Sequence, residues 1–544
     1  MSSRSTLRIG IAVVGVLAIA CGTAGPGPAP QAPGAASPAA PVANFNASST
    51  LTIRIDGPWA SFDPSPRVGV AGNLPSGQLS AGLYDRLVEL GPDGKFVPYL
   101  ATAWEQTPTS VKFTLRKDVT CSDGTPLTAS AVAKSFDFRL GISDAKTRSA
   151  SVPGTFGPGP FTVSADDAAG TFTLTLRTPF DVMTSFALGT EAFVICPKGV
   201  ASLTALDNEA FGTGPYRLES QDRPNSLTLK LRPEWKWGPG GRTAEGLPGT
   251  LVYRAVANET TAANLLLTGG LDIARIQGVD VKRLIADPSL GKLQKQGLYT
   301  NPLWLQANPG RGTADIKVRE AIFHAISADD YNQAAYGGLG EVTTSIFAKN
   351  APCYEPATAQ LIPPTDINKA KQVLLSAGYT ESGGKIMKDG KPVTLQVVGS
   401  NAQGSGPEYV ATQLTKVGFT VDFVLQEHTV YSAQHLQPGR FDVIVPGIAS
   451  DIIGSYIGSY RGDFPPTGRN FSRLNDPAIH RLIDKALTST GAEACSTWKE
   501  VQVAMLKGFY SRPLSAQTFY FFSKNPKWVF SAANTSTIQP YSLK

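Results

Sequence analysis

A mixed α/β fold is what this chain of 544 residues predicts, and three observations carry the prediction. Alternating strand-like segments and 3.6-period helical segments are interspersed along the chain instead of being segregated. The helical segments have legible starts and stops. About 500 residues remain beyond an N-terminal leader and linker, enough for two or three domains with substantial cores.

The elements follow in chain order. Arg4 and Arg8 precede the apolar run "IGIAVVGVLAIA", which stops at Cys21. This is the layout of a secretory signal, too short and wrongly flanked for a spanning helix. A leader ending directly on cysteine resembles a bacterial lipoprotein signal, in which the thiol is acylated and becomes the new N-terminus. Ala18 stands where that pattern prefers Leu, and the alternative is an ordinary cleaved signal with an incidental cysteine. The next stretch, "GTAGPGPAPQAPGAASPAAPVANFN", is rich in Pro, Ala and Gly, and no charge occurs between Cys21 and Arg54. Such a composition buries no core and reads as a tether reaching on the order of 30–80 Å.

In the body, "SVKFTLRKDV" (110–119), "TFTLTLR" (171–177), "NSLTLKLR" (225–232) and "PVTLQVV" (392–398) alternate as half-buried strands do. "DIKVREAIFHAISADD" carries Val318, Ala321, Ile322, Ala325 and Ile326 on one helical stripe. "TDINKAKQVLLSAGY" starts near Asp366 and stops at Gly378. In "NDPAIHRLIDKAL", Asp476 caps the helix, Pro477 suits its first turn, and Ile479, Leu482, Ile483 and Ala486 form the buried face.

Composition bounds the function. The formal charge of +6 falls by two when Arg4 and Arg8 leave with the leader, and no basic cluster points to nucleic acid. Without Cys21, four cysteines remain in an oxidising compartment: Cys121, Cys196, Cys353 and Cys495. They allow three pairings, and no spacing resembles a zinc site. Neither a GxSxG nor an HExxH motif occurs, which weakens the case for an extracellular hydrolase. His324 and His480 fall within helical patterns, whereas His428 and His435, seven apart, can share a helical face as a weak metal-binding pair. "GTGP" (212–215) lacks the lysine of a phosphate loop and reads as a turn.

Several stretches, taken in order, resemble the extracytoplasmic solute-binding proteins of peptide ABC importers. They begin with "LYDRLVELGPDGKFVPYLATAWEQTPTSVKFTLRKDVTCSDGTPLTASAVAKSFDF" (83–138) and "FGTGPYRLES" (211–220). "LLLTGGLDIARI" (265–276), "IKVREAIFHAIS" (316–327), "DINKAKQVLLSAGY" (366–379) and "NDPAIHRLIDKA" (475–486) follow. The resemblance implies a bilobal, periplasmic-binding-protein-like fold that closes on its ligand about a hinge. It divides the chain into a signal (1–20), a lipidated Cys21 with linker (21–44), and a first-lobe core (45–83, 209–297, 510–544). An inserted subdomain (84–208) and a second lobe (298–509) complete it. Cys121–Cys196 and Cys353–Cys495 are then the implied disulfides, each inside one unit.

The same resemblance implies ligand-binding residues. "GIASD" falls where peptide-binding members carry a tryptophan and an aspartate, so Asp451 would hold the α-ammonium of a peptide, with Ile448 at the tryptophan's place. The alternative is that Asp451 caps a turn or faces water. The segment "VGVAGN", with Gly72 and Asn73, falls where the first lobe approaches the ligand backbone, and Trp304 is expected to line the cleft. Short peptides are the implied ligand; a metal chelate, haem, a sugar, or a sensing role on the same fold are the alternatives. An ABC permease with its ATPase is the implied partner, and the implied place is the outer face of the membrane, through a lipid anchor. No catalytic residue, metal, cofactor or nucleic acid is expected, and the expected state is a monomer.

Overall fold

The computed structural model describes residues 45–539 apart from 66–73, 92–94, 150–151, 158, 181, 279, 297–299, 350, 352, 447–452, 466–467, 490, 517, 529–530 and 533–537. Cys21, Gly72, Asn73, Ile448 and Asp451 therefore lie outside the described residues.

Among the described residues, the predicted mixture of strands and helices resolves into two large sheets, a four-stranded one and three small ones of two or three strands. The first large sheet orders its seven strands as Gly291–Gln296, Thr518–Ser523, Ile273–Ile276, Thr50–Ile55, Thr250–Ala255, Ser226–Leu231 and Tyr216–Asp222. Thr50–Ile55 lies inside it, parallel to Thr250–Ala255 on one side and to Ile273–Ile276 on the other. Its β-branched and aliphatic run is the composition expected of a strand flanked on both sides.

The second large sheet orders Glu341–Val342, Ser511–Ala516, Asn301–Leu305, Val443–Ile444, Thr394–Ser400 and Thr420–Gln426. The last two strands run parallel, joined by the helix Gly406–Val417 as parallel neighbours require. The chain leaves the first sheet after Gln296 and enters the second at Asn301, then returns between Ala516 and Thr518. This return corrects one expected boundary. Ser511–Ala516 pairs with Asn301–Leu305 in the second sheet, so the chain crosses back past residue 516 and not at 510. The run "SRPLSAQTFYFFS" has no Gly between its two strands, which is why the sequence did not mark the crossing.

A four-stranded antiparallel sheet, Ala101–Thr107, Ser110–Leu115, Thr171–Leu176 and Phe161–Asp166, makes the third unit. Val111 and Phe113 are buried while Lys112 and Thr114 are exposed, the alternation read from the sequence. The helix Ala129–Leu140, capped by Thr128 through the amide of Ala131, lays Phe136 on this sheet 5.1 Å from Phe172. Cys121 is bonded to Cys196 and Cys353 to Cys495.

Predicted helix ends hold. Asp476 accepts from the amides of Ala478 and Ile479 with Pro477 in the first turn, and Asp366 accepts from Lys369. The "GTGP" turn has a packing reason: a Cβ on Gly212 would fall 2.1 Å from the Leu83 carbonyl oxygen, and one on Gly214 2.5 Å from the Leu83 carbonyl carbon.

Candidate functional site

The unit built on the four-stranded sheet meets the second large sheet's unit along a seam. One side is the short helix Val152–Thr155 with Phe180; the other is the helix Ile453–Ile457, which begins two residues after Asp451. Backbone touches backbone here. A Cβ on Gly454 would lie 2.4 Å from the Gly154 carbonyl oxygen and 2.7 Å from Phe180 Cζ, so this approach demands glycine. Beside the seam a cavity of about 280 Å³ lies between Pro108, Pro179 and Phe180 on one side and Leu487, Thr488 and Ser489 on the other.

Behind the helix Ile453–Ile457 stands a polar column in an apolar setting. Trp304 Nε1 donates to Tyr460 Oη at 2.7 Å, and Tyr460 Oη lies 3.1 Å from Ser511 Oγ and 3.3 Å from Tyr456 Oη. Burial raises the Tyr460 phenol above its ordinary range, so it stays neutral and serves as a hydrogen-bonding joint. Trp304, expected to line the cleft, is wholly buried in this conformation, its ring against Tyr460.

On the opposite face, Ser65 immediately precedes residues 66–73, the segment that holds Gly72 and Asn73. Its hydroxyl donates to Glu191 Oε1 at 2.9 Å and lies 2.6 Å from Ser149 Oγ. Its amide donates to Asp63 Oδ1 at 3.0 Å, and Arg139, paired with Asp63, also donates to the Ser65 carbonyl. Ser65 is thus fixed through backbone and side chain, with a nearly buried acid, Glu191, in its hydroxyl's reach.

From the second unit comes Arg469. Its loop is held by Asn470, whose amide donates to Asp463 O and whose side chain donates to Gly462 O and Leu474 O. Arg469 Nη1 is buried and makes no hydrogen bond. Burial pulls its guanidinium below the ordinary range, with Glu191 the acid that opposes the shift. Glu191 and Arg469 thus interact across the seam without forming an ion pair.

Three of the four histidines lie against backbone carbonyls, and the His428 side chain lies outside the described residues. His324 Nδ1 lies 3.1 Å from Pro364 O, His480 Nε2 3.1 Å from Leu474 O, and His435 Nδ1 3.2 Å from Arg440 O. Among the described residues no group of three His, Cys, Asp or Glu is placed to hold a metal, and no helix is long and apolar enough to cross a membrane. Sequence reasoning missed Ser65, Ser149, Glu191 and Arg469; their chain positions are far apart, and nothing local distinguishes them from solvated side chains.

An α/β body built on two large sheets, between which the chain passes twice, defines the bilobal class of binding proteins. The profile of the bacterial extracellular solute-binding proteins, family 5 (middle region), matches residues 95–463, and the chain belongs to that family. A Brucella ovis protein that carries the name ABC transporter peptide-binding protein is 25% identical over 312 residues, 54% of this chain and 55% of that relative. The match therefore spans about half that relative's length. The nickel-binding periplasmic protein of Escherichia coli K12 is 26% identical over 381 residues, 66% of this chain and 69% of that one. A substrate-binding protein from Microbacterium hydrocarbonoxydans, solved with 4-hydroxybenzoate hydrazide, superimposes with a TM-score of 0.72 at 25% identity. It covers 91% of this chain and 99% of its own. These relatives are binding proteins rather than enzymes.

Proposed function

We propose that this protein is the substrate-binding component of an ABC importer, held at the outer face of the cell membrane through an acylated Cys21. It captures short peptides between its lobes and hands them to a membrane permease driven by its ATPase. The observation that carries the reading is the family match over residues 95–463. A ligand that touches both faces favours the closed arrangement. Moving that equilibrium from 1% to 99% closed takes a differential affinity of about 5.5 kcal/mol. Buried hydrogen bonds from both faces and one desolvated charge pair are of that order.

Asp451 takes the peptide's α-ammonium in this reading, since an ammonium presents three donors to a carboxylate that can accept them. The remaining peptide backbone is held as an added strand, so side chains contribute little selectivity. The test is calorimetric titration of the full chain with free and N-acetylated tripeptides. Acetylation and Asp451→Ala should each weaken binding by about 2–5 kcal/mol, the range for removing one member of a buried charge pair. Equal affinity in all combinations refutes the ammonium role. The nickel-binding relative makes a metal chelate the second reading, favoured if nickel–histidine binds and tripeptides do not.

A further inference from the structure

We infer that the turn Gly337–Gly340 splints the return crossing between the two large sheets, so that the lobes swing about a fulcrum seated at Leu339. The inference rests on the two-lobed fold and is independent of which solute the cleft takes.

Domain closure is absorbed by a few residues at the ends of elements, and the crossing between Ala516 and Thr518 is such a place. A turn from a third stretch of chain bridges it on both sides. On the second-sheet side, Glu341 pairs with Ala516 and Val342 with Ser515, and a Cβ on Gly340 would lie 3.3 Å from Ala516 O. On the first-sheet side, Tyr520 Oη donates to Leu339 O at 3.2 Å. The Leu339 side chain packs against the cluster that holds Val281, Leu284, Tyr520 and Phe522, all first-lobe residues.

The sequence builds the turn for this post. The helix Ala328–Tyr336 ends at Gly337 with φ 60°, and Gly338 follows at φ 82°, two left-handed positions in succession that suit glycine. The reversal carries Leu339 to the first lobe's cluster, while Asn332 Nδ2 donates to Gly340 O at 2.9 Å and ties the turn back to its helix. That helix bears on the second lobe: a Cβ on Gly406 would lie 2.6 Å from Tyr331 Cε2. The turn is therefore rigid with one lobe and seated in the other. A contact beside the swing axis moves little when the lobes part, whereas a distant one is torn. The seam at Gly154 and Gly454 is closed in the same conformation in which Leu339 is seated, so the seat is compatible with closure.

The experiment uses the full chain as wild type, Leu339→Ala, Leu339→Met and Tyr520→Phe, with thermal melts to confirm folding. Small-angle X-ray scattering without solute reads the spread of lobe openings; calorimetric titration with tripeptides and with nickel–histidine reads affinity. Leu339→Ala should raise the radius of gyration without solute and regain the wild-type value with saturating solute. Its affinity should fall about three- to tenfold, the scale on which positions remote from a ligand shift a coupled equilibrium. Leu339→Met, close in volume, should scatter as wild type, with Tyr520→Phe between it and Leu339→Ala. Leu339→Ala that scatters as wild type overturns the inference, even if it melts earlier, because lost packing alone does not make a fulcrum. If Leu339→Ala does not fold, Tyr520→Phe decides, and scattering equal to wild type overturns the inference. Wild type that binds neither probe counts against the solutes proposed above, and the scattering comparison, which needs no solute, still decides the fulcrum.

Discussion

Asp85 and Arg469 are both desolvated charged residues, and they are treated in opposite ways. Asp85 is wholly buried in the "YDRLVE" segment and accepts hydrogen bonds from Tyr99 Oη, Trp237 Nε1 at 2.9 Å and Trp235 Nε1 at 3.4 Å. Arg469 lies partly buried at a seam and leaves Nη1 without a bond. The first arrangement locks separate chain segments into one core, because every donor that reaches the carboxylate comes from elsewhere in the sequence. The second stores an unmet demand on a surface that faces another unit. The contrast separates a carboxylate served by donors from distant segments from a guanidinium nitrogen that has no acceptor.

The comparison can be broken most forcefully at Asp85. Asp85→Ala removes the carboxylate that the Tyr99 hydroxyl and the Trp235 and Trp237 indoles reach in the core, with Trp237 Nε1 keeping Thr213 O, and each buried hydrogen bond lost this way costs about 1–3 kcal/mol. The expected loss is about 3–5 kcal/mol, read as a lower urea midpoint, with binding per folded molecule unchanged. A loss below about 1 kcal/mol would mean that the cluster is not a structural lock.

Next in size is the seam. Gly454→Leu puts a side chain where 2.4 Å separates a Cβ from Gly154 O. Overpacking of this kind costs about 1–3 kcal/mol. In a protein that opens and closes, that cost falls on the closed state. The expected result is weaker tripeptide binding by about that amount with a melting temperature near that of wild type. A lowered melting temperature with unchanged affinity would make the seam a permanent interface.

Arg469→Gln sharpens the contrast from the other side. Removing an unpaired, desolvated cation should leave stability unchanged or raise it by up to about 1 kcal/mol, where Asp85→Ala lowers it. Chemical denaturation of both variants in parallel decides this. A loss of stability above about 1 kcal/mol at Arg469 would assign it a structural role.

The smallest effect is the pH dependence of Asp85. Burial raises its folded-state pKa above the ordinary carboxylate value, and the hydrogen bonds it accepts only partly offset this. The folded chain therefore holds the proton more tightly than the unfolded chain does. The stability this contributes is complete below the unfolded value of about 3.9 and declines as pH rises through the folded one. Relative to Asp85→Asn, wild type should lose ground as pH rises above about 4; a gain would mean that the donors outweigh burial.

Much of the fold was legible because local rules agreed with the global result. The alternation in "SVKFTLRKDV" and the Asp476–Pro477 cap both survive intact, since each is satisfied by neighbours in sequence. The crossing between Ala516 and Thr518 was illegible because both strands are buried on both faces and show no break in composition. Trp304 illustrates a different limit: an aromatic residue near a lobe boundary reads the same whether it faces a cleft or, as here, donates to Tyr460 from within the core. Asp451, singled out by its apolar flanks, lies outside the described residues. The Glu191–Arg469 relation depends on residues far apart in the chain, which no local pattern connects.

Native mass spectrometry of the folded protein purified from its own host tests solute capture most directly. A spread of added masses fitting short peptides with free termini is the predicted result. A single discrete mass without an acidic group, or no bound mass under conditions that preserve the fold, would contradict the account.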